Sequence, residues 1–466
     1  MNTPEKNRTM TDMTVGNPYR LIFLFSLPLL LGNLLQQLYN MVDSIVVGNV
    51  IGDQALAAVG TGFPVIFMLT SLFMGIGTGA TVMLSQFYGA RDFERLRNLV
   101  DTLYTAVKIG ILPLTVLGIL LSGPLLTLMK VPNDGTYELA LIYLIIIFAG
   151  MIGVLGFNLN AAILQGLGDS KTSLLFLAIA TVINIILDLV FTIVFHMGVA
   201  GVALATIIAQ IFSWLFGIWY INRHYDCIRI RLKGLTFHKD LFWQAMKLGI
   251  PGGIQQALFS FGIMFVQGIV NSYGSSFMAG FNGANKIDSF AFLPMQSFGM
   301  AVTTYAGQNV GAGKLKRVGE GLRASIIMCI GFSALALIIL YPTSSILMRM
   351  FSQSPDVIDA GVIYLHSVLP VYCFMGINFM CNSTLRGSGE MVVPMVGCIV
   401  ELWVIRLPAA YLLAKYFGPE YLFWSYGLGW FVNILFGGTY YLTGRWKKKR
   451  IAQTVSETKP AETAHT

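Results

Sequence analysis

Long apolar segments alternate with short polar ones along almost the whole chain. Each apolar run has about 20 residues or more, and a helix of that length is roughly 30 Å long, which matches the hydrocarbon core of a bilayer. The pattern therefore predicts twelve transmembrane helices. Their approximate limits are 21–47, 56–84, 100–122, 138–165, 172–196, 198–221, 241–270, 276–306, 322–348, 358–386, 391–415 and 420–444.

The composition agrees with this pattern. Of 466 residues, 55% are hydrophobic and only 11% are charged, and the mean hydropathy is +0.70. A soluble domain carries about 25% charged residues. We therefore predict an all-α polytopic membrane protein. The first apolar segment is too long for a signal-peptide core and is not followed by a small-residue cleavage site, so we expect it to be retained.

Basic residues are distributed very unevenly among the predicted loops. If both termini are cytoplasmic, 23 Lys and Arg residues up to Arg450 fall in the inner loops and ends, against three (Lys130, Arg349 and Lys415) in the outer loops. This bias fixes orientation in the plasma (cell inner) membrane, with both termini in the cytoplasm. The net charge of +8 therefore does not indicate nucleic-acid binding. The basic run "RWKKKR" at 445–450 is predicted to rest on anionic lipid.

Neither a metal centre nor a nucleotide site is indicated. The spacing of the cysteines fits no metal site, and we interpret them as small packing residues in a reducing compartment. No phosphate-binding loop or H-E-x-x-H motif is present. The "GIGTG" at 75–79 lies inside an apolar segment, where small residues favour close helix packing. We predict no cofactor and no enzymatic activity. The cysteines are Cys227, Cys329, Cys373, Cys381 and Cys398.

The two halves of the chain resemble each other. A shift of 222 residues matches Gly77, Thr81 and Gln86 with identical residues, and "LQGLGD" (164–169) corresponds to "LRGSGE" (385–390) at a shift of 221. Because each half has six helices, an even number, the chain enters the membrane from the same side at the start of both halves. Parallel repeats of this kind surround a central cavity. The predicted divisions are a cytoplasmic segment (1–20), an N-lobe (21–221), a linker (222–240), a C-lobe (241–444) and a basic tail (445–466).

Two acids lie inside apolar segments of the N-terminal half, Asp43 in the first and Asp188 in the fifth. Asn184 precedes Asp188 by four residues, hence on the same helix face, and Tyr39 precedes Asp43 likewise. Thr206 lies at a similar depth in the sixth segment. We predict that this set forms one polar pocket in the outer half of the bilayer.

Two ions suit such a pocket. Na⁺ would take oxygen ligands from Asp43, Asn184, Asp188 and Thr206, as other hard cations do. Protons suit two carboxylates that are close together and out of water, because neutralisation removes both the repulsion and the cost of desolvation. The alternative is that each acid only hydrogen-bonds a neighbouring helix.

The C-terminal half carries different polar residues. Its first segment has no acid but has Gln255 and Gln256, whereas Lys286 and Asp288 lie in the eighth segment and Glu401 and Arg406 in the eleventh. Lys286 and Asp288 are two residues apart and do not face each other. Either these charges pair between helices or they contact substrate. The predicted substrate-cavity residues are Tyr39, Gln255, Gln256, Lys286, Asp288, Glu401 and Arg406.

Five stretches together resemble the multidrug and toxic compound extrusion (MATE) family. They are "LPLLLGNLLQQLYNMVDSIVVG", "ALAAVG", "QFYGARD", "LQGLGDSKT" and "INIILDLVF", and the half-repeats "QNVGAGK" and "LRGSGE" support them. The resemblance covers residues 15–445. It implies two six-helix lobes around a V-shaped cavity, and export of organic, often cationic and lipophilic compounds against inward H⁺ or Na⁺.

The resemblance also implies residue roles. The ion-coupling residues of the family's N-lobe map to Asp43, Asn184, Asp188 and Thr206, and a fourth-helix asparagine maps to Asn160, with Asn158 close by. The acid that NorM-like members carry in the seventh helix is missing, which favours a DinF-like or MepA-like branch without a C-lobe cation site.

The sequence therefore predicts a secondary transporter that exports small molecules by antiport and needs only substrates and the bilayer, as a monomer without an obligate protein partner. One alternative is a lipid-linked oligosaccharide or lipid flippase of the same broader fold. It would have a strongly cationic cavity, whereas the only bases inside apolar segments are Lys108, Lys286 and Arg406.

Overall fold

The computed structural model describes residues 10–129, 131, 132, 134–232, 234 and 236–451. This part of the chain is all helical, with no strand. The basic residues Lys6, Arg8, Lys130 and Lys233, and the tail beyond Ile451, lie outside the described residues.

Seven α-helices form the N-terminal half. They are α1 (Pro18–Val46), α2 (Asp53–Gly89), α3 (Phe93–Leu128), α4 (Thr136–Ala149), α5 (Met151–Gly166), α6 (Ser170–Leu189) and α7 (Gly198–His224). Short π-helical segments, Val47–Ile51 and Val190–Val194, extend α1 and α6.

Eight α-helices form the C-terminal half. They are α8 (Lys239–Asn271), α9 (Ser275–Gly311), α10 (Leu315–Arg349), α11 (Pro355–Val368), α12 (Tyr372–Gly387), α13 (Val392–Ile399), α14 (Leu407–Tyr416) and α15 (Trp424–Leu442). A π-helical segment, Val400–Arg406, joins α13 to α14, and 3₁₀ turns occupy Leu369–Val371, Pro419–Tyr421 and Arg445–Lys448.

Each of the twelve predicted spans has a counterpart, but three are interrupted. The fourth span is α4 and α5, which meet at Gly150 with a bend of 54°. A Cβ at Gly150 would lie 2.2 Å from Ile207 of α7, so the bend brings the backbone against a neighbouring helix. The tenth span breaks at the 3₁₀ turn containing Pro370, which lacks a backbone N–H, and the eleventh contains the π-helical segment.

Length and hydropathy distinguish the spans further. Among the described residues, nine helices are long and apolar enough to cross a bilayer, and the bent pair α4–α5 would be a tenth. The eighth and twelfth predicted spans, α9 and α15, are helical but less apolar than these. Several helices also extend past their predicted ends, as α2 does to Gly89, because hydropathy detects only the part that matches the hydrocarbon core.

The chain packs as two compact units. One contains Leu31–Gly253 and the N-terminal stretch that ends at Asp12, and the other contains Met13–Leu30 and the chain from Ile254. The units therefore divide α1 after Leu30 and α8 after Gly253, whereas the repeat divides the sequence between 221 and 241. The lobe boundaries 21–221 and 241–444 stay a prediction from the repeat.

The two units contain matching contacts, as an internal repeat requires. In the first, Thr81 Oγ1 donates to the Ala162 carbonyl at 3.2 Å, and in the second Thr303 Oγ1 donates to the Ser383 carbonyl at 3.2 Å. Both threonines lie where their helix touches a glycine of another helix: Gly166 of α5 meets α2, and Gly387 of α12 meets α9.

A second pair of matching contacts stabilises the start of the fifth predicted span of each half, which is α6 in the first half and α13 in the second. Asp169 caps α6 by accepting from the Thr172 backbone N–H at 2.9 Å, and it also accepts from the Tyr225 hydroxyl after α7. Glu390 accepts from the Val392 backbone N–H at 3.2 Å and from the Tyr440 hydroxyl of α15 at 2.7 Å.

The second unit also holds the chain before α1. The Met13 N–H donates to Gln308 Oε1 at 2.9 Å, and its carbonyl accepts from Asn309 Nδ2 at 3.1 Å. Lys314 Nζ donates to the Thr14 carbonyl at 2.9 Å. Three residues of the "QNVGAGK" motif therefore bind the turn before α1 through its backbone.

Candidate functional site

The site forms around Asp188, which is fully buried near the end of α6. Its neighbour Asn184, one turn earlier on the same face, is 1% exposed, and Thr206 of α7 is 9% exposed. Asp43 and Tyr39 reach the same place from α1, both half-buried. The helical spacing of four residues within α1 and within α6 is what puts each pair on one face.

Asn184 bridges the two carboxylates. We assign its amide with the nitrogen toward the acids, where it donates to Asp188 Oδ2 at 3.0 Å and to Asp43 Oδ1 at 3.1 Å, while its oxygen accepts from the Thr206 N–H at 3.3 Å. The opposite orientation would turn the amide oxygen toward two acceptors and leave the nitrogen a 3.4 Å contact with Thr206 Oγ1. Assignment by hydrogen-bond satisfaction is the ordinary criterion for such amides.

The bridge brings the acids close together. Two oxygens bonded to one nitrogen at these distances lie within about 6 Å of each other. Asp188 Oδ1 has no hydrogen-bond partner among the described residues, although it is buried. A buried and a half-buried carboxylate at this separation carry a large cost if both are ionised, so the site favours a bound positive charge.

Two hydroxyls complete the site. Tyr39 Oη and Thr206 Oγ1 lie 3.3 Å apart, within hydrogen-bond distance. Tyr143 of α4, which the sequence gave no reason to choose, interacts electrostatically with both Asp43 and Asp188. Tyrosines are common in apolar segments, so the sequence contains no signal that singles this one out.

The π-helical segments begin directly after the acids. Val47–Ile51 starts four residues after Asp43, and Val190–Val194 starts two residues after Asp188. Thr192 donates its hydroxyl to the Asp188 carbonyl, and Val47 packs against Val199 of α7. Such segments recur at functional sites, where a widened turn changes the direction of side chains.

Asn160 lies elsewhere in the same unit. It is fully buried on α5, accepts from the Tyr104 hydroxyl and donates to the Trp214 carbonyl at 3.0 Å. Both ends of its amide are therefore satisfied by α3 and α7, not by either carboxylate. Its role in ion coupling stays a prediction.

The charges in the eleventh predicted span pair within the second unit. Arg406 Nη2 donates to Glu401 Oε1 at 2.8 Å, and both side chains are at least nine-tenths buried. Asn378 and Asn433 donate to Glu401 Oε2 at 3.1 and 2.7 Å. The Arg406 guanidinium lies 4.3 Å from the centroid of the Tyr426 ring. The pair joins two residues of one span, not two helices as the sequence suggested.

The other predicted cavity residues fall into two groups. Asp288 and Gln255 have partners inside the second unit: Asp288 accepts from the Tyr364 hydroxyl at 3.0 Å, and Gln255 accepts from Arg386 at 3.0 Å. Gln256 and Lys286 are exposed. Contact with substrate stays a prediction for all of these residues and for Tyr39.

A family model described as MatE matches residues 28–190 and 251–412, which is most of the chain and follows its two halves. This chain belongs to the MATE family. MATE proteins are multi-pass membrane transporters and not enzymes, and the resemblance seen in the sequence is thereby confirmed.

Relatives match over nearly their whole length. The chain is 33% identical to the probable multidrug resistance protein YpnP of Bacillus subtilis (strain 168), covering 94% of this chain and 98% of the relative. It is 30% identical to YoeA, a probable multidrug resistance protein of the same organism, covering 98% and 100%. It is 22% identical to the multidrug export protein MepA of Staphylococcus aureus (strain MW2), covering 86% and 88%.

Solved structures share the fold. A crystal structure titled "MATE in the bent conformation" superposes with a TM-score of 0.86 at 22% identity, covering 96% of this chain and all of the other. An outward-facing multidrug resistance MATE transporter gives a TM-score of 0.84. At this identity the likeness supports the all-helical architecture alone.

Proposed function

We propose that this MATE protein exports amphipathic organic compounds by antiport with H⁺, bound at the Asp43–Asp188 pair. The bridge through Asn184 is the single observation that carries the proposal. It holds two acids together in a buried place where one added proton relieves both repulsion and desolvation. The names of the relatives YpnP, YoeA and MepA, all multidrug resistance or export proteins, support organic compounds as the cargo.

Protons suit the site better than Na⁺. The Asn184 nitrogen, which cannot coordinate a cation, faces both carboxylates, and the amide oxygen accepts from the Thr206 N–H instead of facing the acids. Na⁺ would have to use carboxylate and hydroxyl oxygens and displace the amide bridge. Na⁺ is the second candidate because Tyr39 and Thr206 do add two oxygens beside the acids.

Neutralisation of the acids would act on the helices that carry them. Asp43 is on α1, Asp188 on α6 and Thr206 on α7, so a proton that weakens the Asn184 bridge loosens the packing of all three. A pH difference of one unit supplies about 1.4 kcal/mol per proton. A potential of 100 mV supplies about 2.3 kcal/mol per net charge moved.

We further propose that the protein works as a monomer in the cell inner membrane, with both termini cytoplasmic. A lipid flippase is not favoured, because Arg406, one of three bases inside apolar segments, is neutralised by Glu401 within the second unit. That leaves only Lys108 and Lys286 as exposed bases there, too few for a strongly cationic cavity.

The test is export of a fluorescent cationic dye from reconstituted vesicles, driven first by a pH gradient alone and then by a Na⁺ gradient alone. We expect the pH gradient to suffice. Asp188→Asn should abolish coupled export while the protein still inserts and elutes as a single species. Asp53→Asn, which removes an exposed acid at the start of α2, is the matched control and should export normally. Near-normal export by Asp188→Asn would overturn the assignment.

A further inference from the structure

One exposed face of α9 is polar over two helical turns. Asn282 and Lys286 are exposed, and Asn285 and Ser289 beside them are half-buried. The spacing of three and four residues puts these side chains on one helix face. Together they line an open concavity of about 480 Å³. Phe290, which is 53% exposed, follows at the end of this polar face.

The charge of Lys286 is not neutralised within its own unit. Asp288 is near it in sequence but faces the interior, where it accepts from Tyr364 of α11. Within the part of the chain that the structure describes, Lys286 forms no ion pair. The Ser289 hydroxyl donates to the Lys286 backbone carbonyl at 2.7 Å and leaves the ammonium group uninvolved.

A polar face of this kind is not expected to meet lipid. A lysine near the middle of a bilayer costs about 2.5–3.5 kcal/mol on insertion scales, and each unpaired asparagine adds to that. The side chains therefore line a space that water and solutes reach. Ion-pathway and substrate residues of membrane proteins are drawn from such positions.

The internal repeat shows that the fold itself does not need this polarity. At the shift of 222 residues, Asn282, Asn285, Lys286 and Ser289 correspond to Gly60, Phe63, Pro64 and Phe67 of α2. The equivalent helix of the other half thus has an apolar face, with Phe63 and Phe67 stacked 6.1 Å apart. Because α2 and α9 are equivalent helices of the repeat, the polar residues of α9 have a role other than helix packing.

We propose that this face binds an acidic group, a carboxylate, on the exported compound. Lys286 supplies the charge, and the amide N–H groups of Asn282 and Asn285 supply donors, which together suit an anion. Phe290 offers apolar contact for the rest of the ligand, and the volume is that of a site for a drug-sized molecule. The inference rests on the proposed export function and names its substrate class: amphipathic compounds that carry both a cationic and an anionic group.

The test uses two dyes that differ only at the carboxylate, tetramethylrhodamine and its methyl ester. Their dissociation constants are measured by fluorescence polarisation with purified protein, so binding is read independently of transport. Lys286→Gln removes the charge that attracts the acid and repels the cationic ester. The preference for acid over ester should fall by about tenfold or more, the size of a lost charged hydrogen bond. Lys286→Arg should keep it.

Lys108→Gln is the matched control, because Lys108 is the other exposed lysine inside an apolar segment and lies on α3. It should leave the preference unchanged. No preference in the wild-type protein, or equal losses for both dyes with Lys286→Gln, would overturn the proposal. So would competition by added phosphatidylglycerol against the acid but not the ester, because the face would then belong to lipid headgroups.

Vesicle export separates this inference from the function on which it rests. If the protein binds the acid through Lys286 but exports neither dye under any gradient, the export function fails and the binding site stands. If it exports both dyes and Lys286→Gln does not change their ratio, the export function stands and the assignment of this face fails.

Discussion

Asn184 is a neutral residue that donates hydrogen bonds to two carboxylates at once. A single amide nitrogen has two N–H groups, and here each is directed to a different carboxylate. When a proton neutralises one acid, that acid becomes a weaker acceptor and one of the two bonds weakens. Whether a proton is bound at the site is thereby coupled to the distance between α1 and α6, the helices that carry the acids.

Asn184→Ala should therefore lower coupled export by at least about tenfold, because it removes two charge-assisted hydrogen bonds worth about 1.5–3 kcal/mol each. Binding of dye in the absence of a gradient should change much less. The matched control is Asn158→Ala, since Asn158 is exposed and donates only to the Val154 carbonyl of its own helix. The measurement is the initial rate of dye export at equal protein amounts. Equal rates for the two variants would contradict the bridge.

The residues of the site were largely predictable, and their partners were not. Asp43, Asn184, Asp188 and Thr206 could be chosen because charge is costly in apolar segments and because a four-residue spacing defines a helix face. Asn160 was chosen from the family resemblance alone, and its amide is satisfied by Tyr104 and Trp214. Which buried amide meets which partner depends on helix orientation, and periodicity within one helix does not contain that information.

At the scale of helices, only some of the interruptions in the predicted spans could be recognised from the local sequence. Gly150 and Pro370 mark two of them, and both residues are recognisable signals. The π-helical segment after Asp43, Val47–Ile51, contains Gly48, whereas Val190–Val194 after Asp188 is mostly apolar, β-branched sequence with neither glycine nor proline. A π-helical turn lacks the regular hydrogen bonds of an α-helix, so the packing of the surrounding helices must stabilise it.

Close helix packing in the first unit can be tested with neighbouring glycines of "GIGTG". A Cβ at Gly75 would lie 2.3 Å from the Gly253 nitrogen of α8, whereas a Cβ at Gly77 would have nothing within 4 Å. Gly75→Ala should therefore destabilise the protein by about 1–3 kcal/mol, the usual cost of overpacking. Gly77→Ala should be neutral or slightly stabilising, because alanine favours a helix.

The measurement is the midpoint of thermal unfolding in detergent, followed by size-exclusion chromatography of heated samples. A clear drop is expected for Gly75→Ala and none for Gly77→Ala. Equal midpoints would mean that α2 and α8 do not meet at Gly75. A drop for Gly75→Ala alone would support close packing, as "GIGTG" was interpreted from the sequence.

For the whole molecule, the internal repeat was the most informative sequence feature. It matched Thr81 with Thr303, and in the structure these two threonines make equivalent contacts with Ala162 and Ser383. It did not predict how α1 and α8 divide between the packing units, after Leu30 and Gly253. A repeat records which residues are equivalent, whereas the packing of a long helix depends on what each part of it touches.

The orientation of the chain is the remaining whole-molecule expectation, and it depends on charge alone. Moving a basic loop across the membrane is costly, so the loops that carry Lys and Arg should stay inside. We expect Asp134→Cys, between α3 and α4, to react with a membrane-impermeant maleimide in intact cells. Glu320→Cys, near the start of α10, should react only after permeabilisation. Both positions are exposed, which makes their intrinsic reactivity comparable.

The five native cysteines must first be replaced, and this should be tolerated, because none of them lies in a disulfide. Four are buried and small enough for alanine, with a cost of cavity formation that dye export can monitor. If Glu320→Cys reacted in intact cells and Asp134→Cys did not, the topology would be inverted. The Asp43–Asp188 pair would then lie in the cytoplasmic half of the bilayer, and a proton entering from outside would have to cross the membrane before reaching it.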